Sequence, residues 1–124
     1  MKKILILVNN IKLEAELYEN DTAEKIWSFL PLEEKVNTWG DEIYFSIGKS
    51  IELEEDASEV VSEGDLAYWP SGKAFCIFFG FTPASQGDEI RAASAVNVFG
   101  KIRGDATVLK KVATGSKISI KKML

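Results

Sequence analysis

The sequence predicts one mainly β domain with about two helices. Near the N terminus a run alternates apolar and polar residues, and later short apolar runs are separated by Gly and Pro. The chain has 124 residues, of which 46% are hydrophobic and 27% are charged, as is ordinary for a globular protein with a single core. We therefore expect one domain over residues 1–124.

The N-terminal segment predicts a β-hairpin. Residues 4–8 and 11–17 are its strands, and Asn9 and Asn10 form the turn because asparagine tolerates the positive φ angles of tight hairpins. In the second strand the odd-numbered residues are apolar and the even-numbered ones are charged, which predicts one buried and one exposed face.

Two helices are predicted. Asp21 with Glu24 forms a capping pattern, and apolar residues recur at helical spacing from there to Pro31. We expect this helix to plug or flank the sheet. Asp105 should cap a second, shorter helix that carries Leu109.

Further strands and loops follow from short apolar runs and the residues between them. Residues 54–59 are acidic and predict a solvated loop, and residues 80–91 predict a long loop over one end of the sheet. The predicted strands after the first helix lie at residues 42–47, 51–53, 66–69, 74–79, 96–102 and 117–120.

Two segments resemble a known family. Gly64, Leu66 and Ala67 match a Gly-x-Leu-Ser opening, residues 73–77 lie over a Ser-Gln-Phe-Phe-Ile strand, and residues 98–102 match Val-Phe-Gly-Lys-Val. In this order, over about residues 64–122, the chain resembles the second half of a cyclophilin. The resemblance implies a closed cyclophilin-like β-barrel.

The first half is less similar to cyclophilins. Residues 37–45 instead look like a small bacterial and archaeal branch of cyclophilin-like proteins of unsettled function. The catalytic Phe-His-Arg segment of the larger family has no counterpart. The only arginines, Arg91 and Arg103, come after the region where the catalytic arginine should lie. Ala74 and Cys76 stand where the resemblance places a groove glutamine and a groove phenylalanine.

Composition excludes several classes of function. The chain has no histidine, so a Ser-His-Asp triad cannot form, and one cysteine with carboxylates would make an unusual zinc site. We therefore expect no metal and no cofactor. Cys76 lies in an apolar strand, which favours a small buried hydrophobe over a reactive thiol. The net charge of −4 argues against binding to nucleic acid.

The same composition predicts a cytoplasmic protein. A single cysteine cannot form an internal disulfide. The N-terminal apolar run stops at Asn9, which is too early for a signal peptide, and no segment is long enough for a membrane span. We expect no membrane partner. The sequence does not indicate the oligomeric state.

Candidate ligand-binding residues lie at strand ends and in loops. The tryptophans among them either line a groove or pack in the core. Glu42 either faces solvent or a lysine, or lies partly desolvated among aromatic residues with a raised pKa. The candidates are Trp39, Glu42, Tyr44, Tyr68, Trp69, Thr82 and Arg91.

We expect the first five candidates to form one concave patch near residues 81–91. Thr82 either binds ligand or satisfies a local turn. Asp65 is predicted to be structural and to accept backbone hydrogen bonds in a turn.

Three functions remain open. The first is a binding module that takes a peptide or a small molecule in an aromatic groove. The second is a divergent peptidyl-prolyl cis-trans isomerase. The third is an enzyme acting on small amides or carboxylates, for which Glu42 is the only plausible general base.

Overall fold

The structure, a computed structural model, describes residues 2–124. Within them the fold is mainly β, as predicted, with ten strands, one α-helix and two short 3-10 helices. The strands are β1 (Lys3–Val8), β2 (Ile11–Leu17), β3 (Leu32–Lys35), β4 (Asn37–Thr38), β5 (Glu42–Ser46), β6 (Ser58–Val61), β7 (Asp65–Trp69), β8 (Ala74–Phe78), β9 (Ile90–Arg103) and β10 (Lys117–Met123). The α-helix α1 spans Asp21–Phe29, and the 3-10 helices span Pro70–Gly72 and Ala106–Lys111.

All strand pairs are antiparallel, in the order β3-β10-β1-β2-β9-β7-β8-β5-β4, and β6 pairs with β9 off this path. The path does not return from β4 to β3, so the predicted closed barrel is not confirmed by hydrogen bonds. Val36 alone separates β3 from β4 along the chain. The sheet must therefore curl until its two end strands are neighbours.

The N-terminal hairpin is confirmed. Val8 pairs with Ile11, and Asn9 adopts a φ of 55° in the turn between them. Leu13, Ala15 and Leu17 are buried on one face of β2, as the alternation predicts.

Both predicted helices are present, with one correction. The cap of α1 is Asn20, not Asp21: its side chain accepts a hydrogen bond from Ala23 N at 2.8 Å. Asn20 still has extended backbone angles, whereas Asp21 is already the first helical residue. Asp105 caps the second helix as predicted, through Thr107 N at 3.0 Å.

The strand predicted at residues 51–53 is wrong. This segment has no strand partner and is held by the buried side chain of Asn97 instead. The Asn97 amide accepts from Glu54 N at 2.8 Å, and it donates to Glu52 O at 2.8 Å and to Thr22 Oγ1 at 3.1 Å. Side-chain hydrogen bonds thus take the place of a strand ladder.

The ends of three other elements also differ from the prediction. The acidic run is not loop throughout, because β6 begins at Ser58. Strand β9 starts at Ile90 rather than at residue 96, so it includes the end of the predicted long loop. Strands β3 and β4 were not predicted, because they are short and mostly exposed, with a single apolar residue at Leu32.

The sheet has a core on each face. The larger core contains α1 and the apolar side chains of the N-terminal hairpin, with Tyr68, Phe75 and Phe99. The smaller core lies on the other face and consists of Val61, Ala67, Ala74, Cys76, Phe78, Ala92 and Val96. No helix within residues 2–124 has both the length and the apolar character to cross a membrane.

Candidate functional site

A pocket of about 210 Å³ opens beside the smaller core. Four of the seven candidate residues contribute to its wall. It is lined by Trp39, Glu42, Tyr44, Trp69, Ala92, Ala93 and Val96.

Strand β5 places two of these residues on one face of the sheet. Glu42 and Tyr44 are two positions apart, so both side chains project on the same side of the strand. Across the ladder they pair with Phe78 and Cys76, which belong to the smaller core. The pocket is therefore built directly on that core.

The turn before β5 positions Trp39. Trp39 N donates to Glu42 O at 2.9 Å, and Asp41 N donates to Phe81 O at 2.8 Å. Gly40 has a φ of +60°, and a Cβ there would lie 2.9 Å from Phe81 O. The turn needs glycine for both reasons, and the chain after β8 holds it in place.

Trp69 is fixed from two sides. Its Nε1 donates to Ser94 Oγ at 2.6 Å. Its ring lies against Gly72, where a Cβ would be only 2.7 Å from the indole carbons. The Tyr44 ring stands nearly perpendicular to it, at 82°, with 6.4 Å between centroids. The two rings thus form a corner of the pocket.

Glu42 is the carboxylic acid of the pocket. The residue is only 6% exposed, and its carboxylate makes no hydrogen bond to a nitrogen or oxygen atom within residues 2–124. Every fully buried side-chain nitrogen or oxygen atom among these residues has a hydrogen-bond partner. Because the Glu42 oxygens have no such partner, they are not fully buried and are open to the pocket that Glu42 lines. Burial raises the pKa of Glu42 to about 7 and outweighs the lowering by the neighbouring Cys76 thiol.

Cys76 is a buried apolar residue, as predicted. It is fully buried, and burial together with the nearby Glu42 charge raises the pKa of its thiol well above the ordinary value. Ala74 is also buried in the smaller core. Both positions that the resemblance assigns to a cyclophilin groove therefore lie beneath the pocket and not in its wall.

The placement predicted for Tyr68 is wrong. Neighbouring residues on a strand point to opposite faces, so Trp69 in the pocket puts Tyr68 in the larger core. Its hydroxyl donates to Lys49 O at 2.5 Å and accepts from Ile51 N at 3.2 Å. Tyr68 is fully buried and cannot reach the pocket.

Thr82 lies outside the pocket wall and satisfies local turns, the alternative considered from the sequence. Its hydroxyl donates to the Arg91 carbonyl oxygen and accepts from Ala84 N at 3.2 Å. Thr82 N donates to Ser85 Oγ at 2.9 Å. Thr82 thus closes the loop before β9.

Arg91 also lies outside the pocket wall. Its guanidinium contacts Glu89 at 2.7 Å and Glu59 at 3.1 Å, which ties β6 to the start of β9. Its charge is matched by these two carboxylates.

The predicted turn role of Asp65 is confirmed. Its carboxylate accepts from Ser62 N at 2.8 Å and lies 3.7 Å from Lys101 Nζ. Burial raises the pKa of Asp65 and outweighs the lowering by these two partners.

Sequence reasoning missed the wall that β9 provides. Ala92, Ala93 and Val96 line the pocket, and Ser94 holds Trp69. The segment Ala-Ala-Ser-Ala has neither β-branched residues nor clear alternation, so it carried little strand signal. Only the pairing of β9 with β6 and β7 places it beside the pocket.

Comparison with known proteins gives a consistent result for nearly the whole chain. A family described as cyclophilin-like matches residues 2–121. The solution structure of a hypothetical protein from Archaeoglobus fulgidus is similar, with a TM-score of 0.82 and 42% sequence identity. That match covers 98% of this chain and 95% of the archaeal one. No curated protein matches.

Proposed function

Because the chain belongs to the cyclophilin-like family, we propose that it is a binding protein whose pocket takes a compact ligand. The ligand is a small molecule or a single side chain of a peptide. One observation carries the proposal: Trp39, Tyr44 and Trp69 converge with Glu42 on a single concavity. Apolar walls with one well-placed polar group are the usual composition of a ligand site.

The size of the pocket supports a compact ligand. Its volume of about 210 Å³ is below the roughly 300–1,000 Å³ of sites for drug-sized molecules. An extended peptide could place only one side chain in it.

A ligand screen with matched tryptophan variants tests the proposal. Fragments that bind the wild type would be titrated into Trp69→Ala, and we expect a loss of roughly 1–3 kcal/mol in binding free energy, as for an aromatic anchor. Trp27→Ala is the control, because Trp27 packs against the larger core and does not line the pocket. Hits that bind Trp69→Ala as tightly as the wild type would overturn the pocket assignment.

A prolyl isomerase has less support. No arginine lines the pocket, and the two groove positions of the resemblance are Ala74 and Cys76, both buried. Isomerisation must lower a barrier of roughly 20 kcal/mol, and no arginine in the pocket wall is placed to donate towards the prolyl nitrogen. We expect little or no rate acceleration in a protease-coupled assay on Xaa-Pro peptides. Acceleration at the level of a cyclophilin would contradict this.

One observation favours an enzyme as the second candidate function. A carboxylic acid with a pKa of about 7 can donate or accept a proton near neutral pH, as a general acid or base must. Glu42→Gln separates the two functions. Retained ligand binding with lost turnover of a small amide or carboxylate would indicate the enzyme, whereas no turnover in either protein would indicate the binding protein.

A further inference from the structure

The pocket wall contains one acidic side chain and no basic side chain. Glu42 is the only Asp or Glu side chain in the wall, and no Lys or Arg lines it. An anionic ligand would meet this carboxylate with no cation to receive it. A neutral apolar ligand would remove the remaining water from the carboxylate, so it would bind the protonated acid and lose affinity as Glu42 ionises.

Two cations next to residues of the site are paired with carboxylates. Arg91 is held by Glu89 and Glu59, next to the pocket residue Ala92. Lys110 lies 3.6 Å from Asp41, the neighbour of Glu42 in the chain. Within the described part of the chain, no lysine or arginine forms an ion pair with Glu42.

Aromatic rings elsewhere in the protein contact lysine ammonium groups. Lys2 and Lys122 place their Nζ atoms 5.7 Å and 4.9 Å from the Trp27 ring centroid, and Lys49 lies 5.5 Å from that of Phe29. The three pocket rings have no such partner among residues 2–124. Two of them, Tyr44 and Trp69, meet at 82° as adjoining walls.

We propose that the pocket recognises a compact organic cation, an alkylated ammonium group, with Glu42 as its counter-ion and the aromatic rings as its cage. Aromatic cages are a common way to bind quaternary ammonium, because ring faces attract a cation that cannot donate hydrogen bonds. This inference rests on the proposed function and adds the chemical class of the ligand.

The cation should bind more tightly as pH rises. Because the pKa of Glu42 is about 7, the fraction of ionised counter-ion increases through neutral pH. The other titratable groups beside Glu42 are the Cys76 thiol, whose pKa is raised well above its ordinary value, and the Tyr44 phenol. Asp41 is engaged with Lys110, and Arg91 with two carboxylates.

The test compares choline with its uncharged isostere 3,3-dimethylbutan-1-ol by calorimetric titration, about one pH unit below and above the pKa of Glu42. At the higher pH we expect choline to bind at least about tenfold more tightly than the alcohol. Choline should bind more weakly at the lower pH. Glu42→Gln should remove the pH dependence and reduce the preference to what the aromatic rings supply, while its melting curve shows that it is folded.

Two results would contradict the proposal that the ligand is a cation. One is equal or tighter binding of the alcohol, and the other is no binding of choline by a protein that binds other fragments. In both cases fragment binding that is sensitive to Trp69→Ala would leave the proposed function standing. A peptide with trimethyllysine distinguishes two sources of the alkylated ammonium group. If the peptide binds more tightly than choline, the ligand is a modified protein. If it binds more weakly, the ligand is a free small molecule.

Discussion

The two faces of the sheet differ in how completely their polar groups are satisfied. In the larger core the Tyr68 hydroxyl binds two backbone groups, and the Asn97 amide makes three hydrogen bonds. Beside the smaller core Glu42 is almost as buried, yet its carboxylate is open to a pocket. Groups that are buried and fully bonded hold the fold, whereas a buried group with free bonding capacity is available to a ligand.

Strand β7 contains this contrast in two adjacent residues. Tyr68 is sealed in the larger core, and Trp69 is half-buried with its ring in the pocket wall. Both are aromatic with a polar tip that is hydrogen-bonded. Only the alternation of the strand gives them different roles.

The largest expected effect is a gain of stability in Glu42→Gln. The folded protein holds the Glu42 proton more tightly than the unfolded chain, since burial raises the pKa from 4.5 to about 7. The free energy of unfolding of the wild type therefore falls as pH rises through this window and levels off above it. At about 1.4 kcal/mol per pKa unit, Glu42→Gln should be more stable by roughly 3 kcal/mol well above pH 7.

Urea unfolding at several pH values measures this effect. The gain should disappear below the unfolded pKa, where Glu42 is protonated in both states. Glu63→Gln on the exposed surface is the control and should change little at any pH. A Glu42→Gln variant that loses stability at high pH would mean that the carboxylate has a partner in the fold.

The next effect tests the larger core. Tyr68→Phe leaves Lys49 O and Ile51 N without their buried partner, so we expect a loss of about 1–3 kcal/mol in the free energy of unfolding. Tyr44→Phe is the matched variant on the pocket face, where no hydroxyl hydrogen bond is lost within the described residues, and should change stability by less than about 0.5 kcal/mol. Equal losses would remove the contrast between the two faces.

A smaller effect is expected at the turn before β7. Asp65→Ala removes the acceptor of Ser62 N, and we expect a loss of about 1 kcal/mol because burial of the carboxylate offsets part of the gain from its bonds. Asp65→Asn keeps an acceptor and should lose less. Ligand affinity should stay unchanged in both. Unchanged stability with lost binding would instead place Asp65 in the site.

The smallest effect on stability concerns the support of Trp69. Ser94→Ala removes the acceptor of Trp69 Nε1 and should cost less than about 1 kcal/mol. The indole N–H signal of Trp69 should shift in the NMR spectrum and exchange faster with solvent. The signal of Trp27 serves as the internal reference, and an unchanged Trp69 signal would show that Ser94 does not hold the ring.

Local patterns predicted those parts of the fold that depend on local chemistry. The hairpin follows from the alternation in β2 and the turn at Asn9, and the cap at Asp105 from its side chain. The strand prediction at residues 51–53 is wrong, because this segment is stabilised by Asn97, which is far away in the chain. A contact of this kind leaves no periodic trace in the sequence.

The site, like the fold, was predictable only where a local pattern marks its residues. Aromatic residues beside Gly or Pro at strand ends pointed to Trp39 and Trp69, and the alternation of β5 linked Glu42 with Tyr44. The same alternation could have excluded Tyr68 once Trp69 was placed. The alanines of β9 could not have been found, since they contribute shape and no chemistry.

The open edges of the sheet also affect how copies of the protein meet in a crowded solution. Within residues 2–124 the strands that pair along one side only are β3, β4 and β6, of four, two and four residues. Strand β3 ends in Glu33, Glu34 and Lys35, all exposed, and β6 carries the exposed Glu59. A strand from another copy would find few backbone groups to pair with and charges beside them. Short charged edges of this kind discourage fibre-like growth from the folded state.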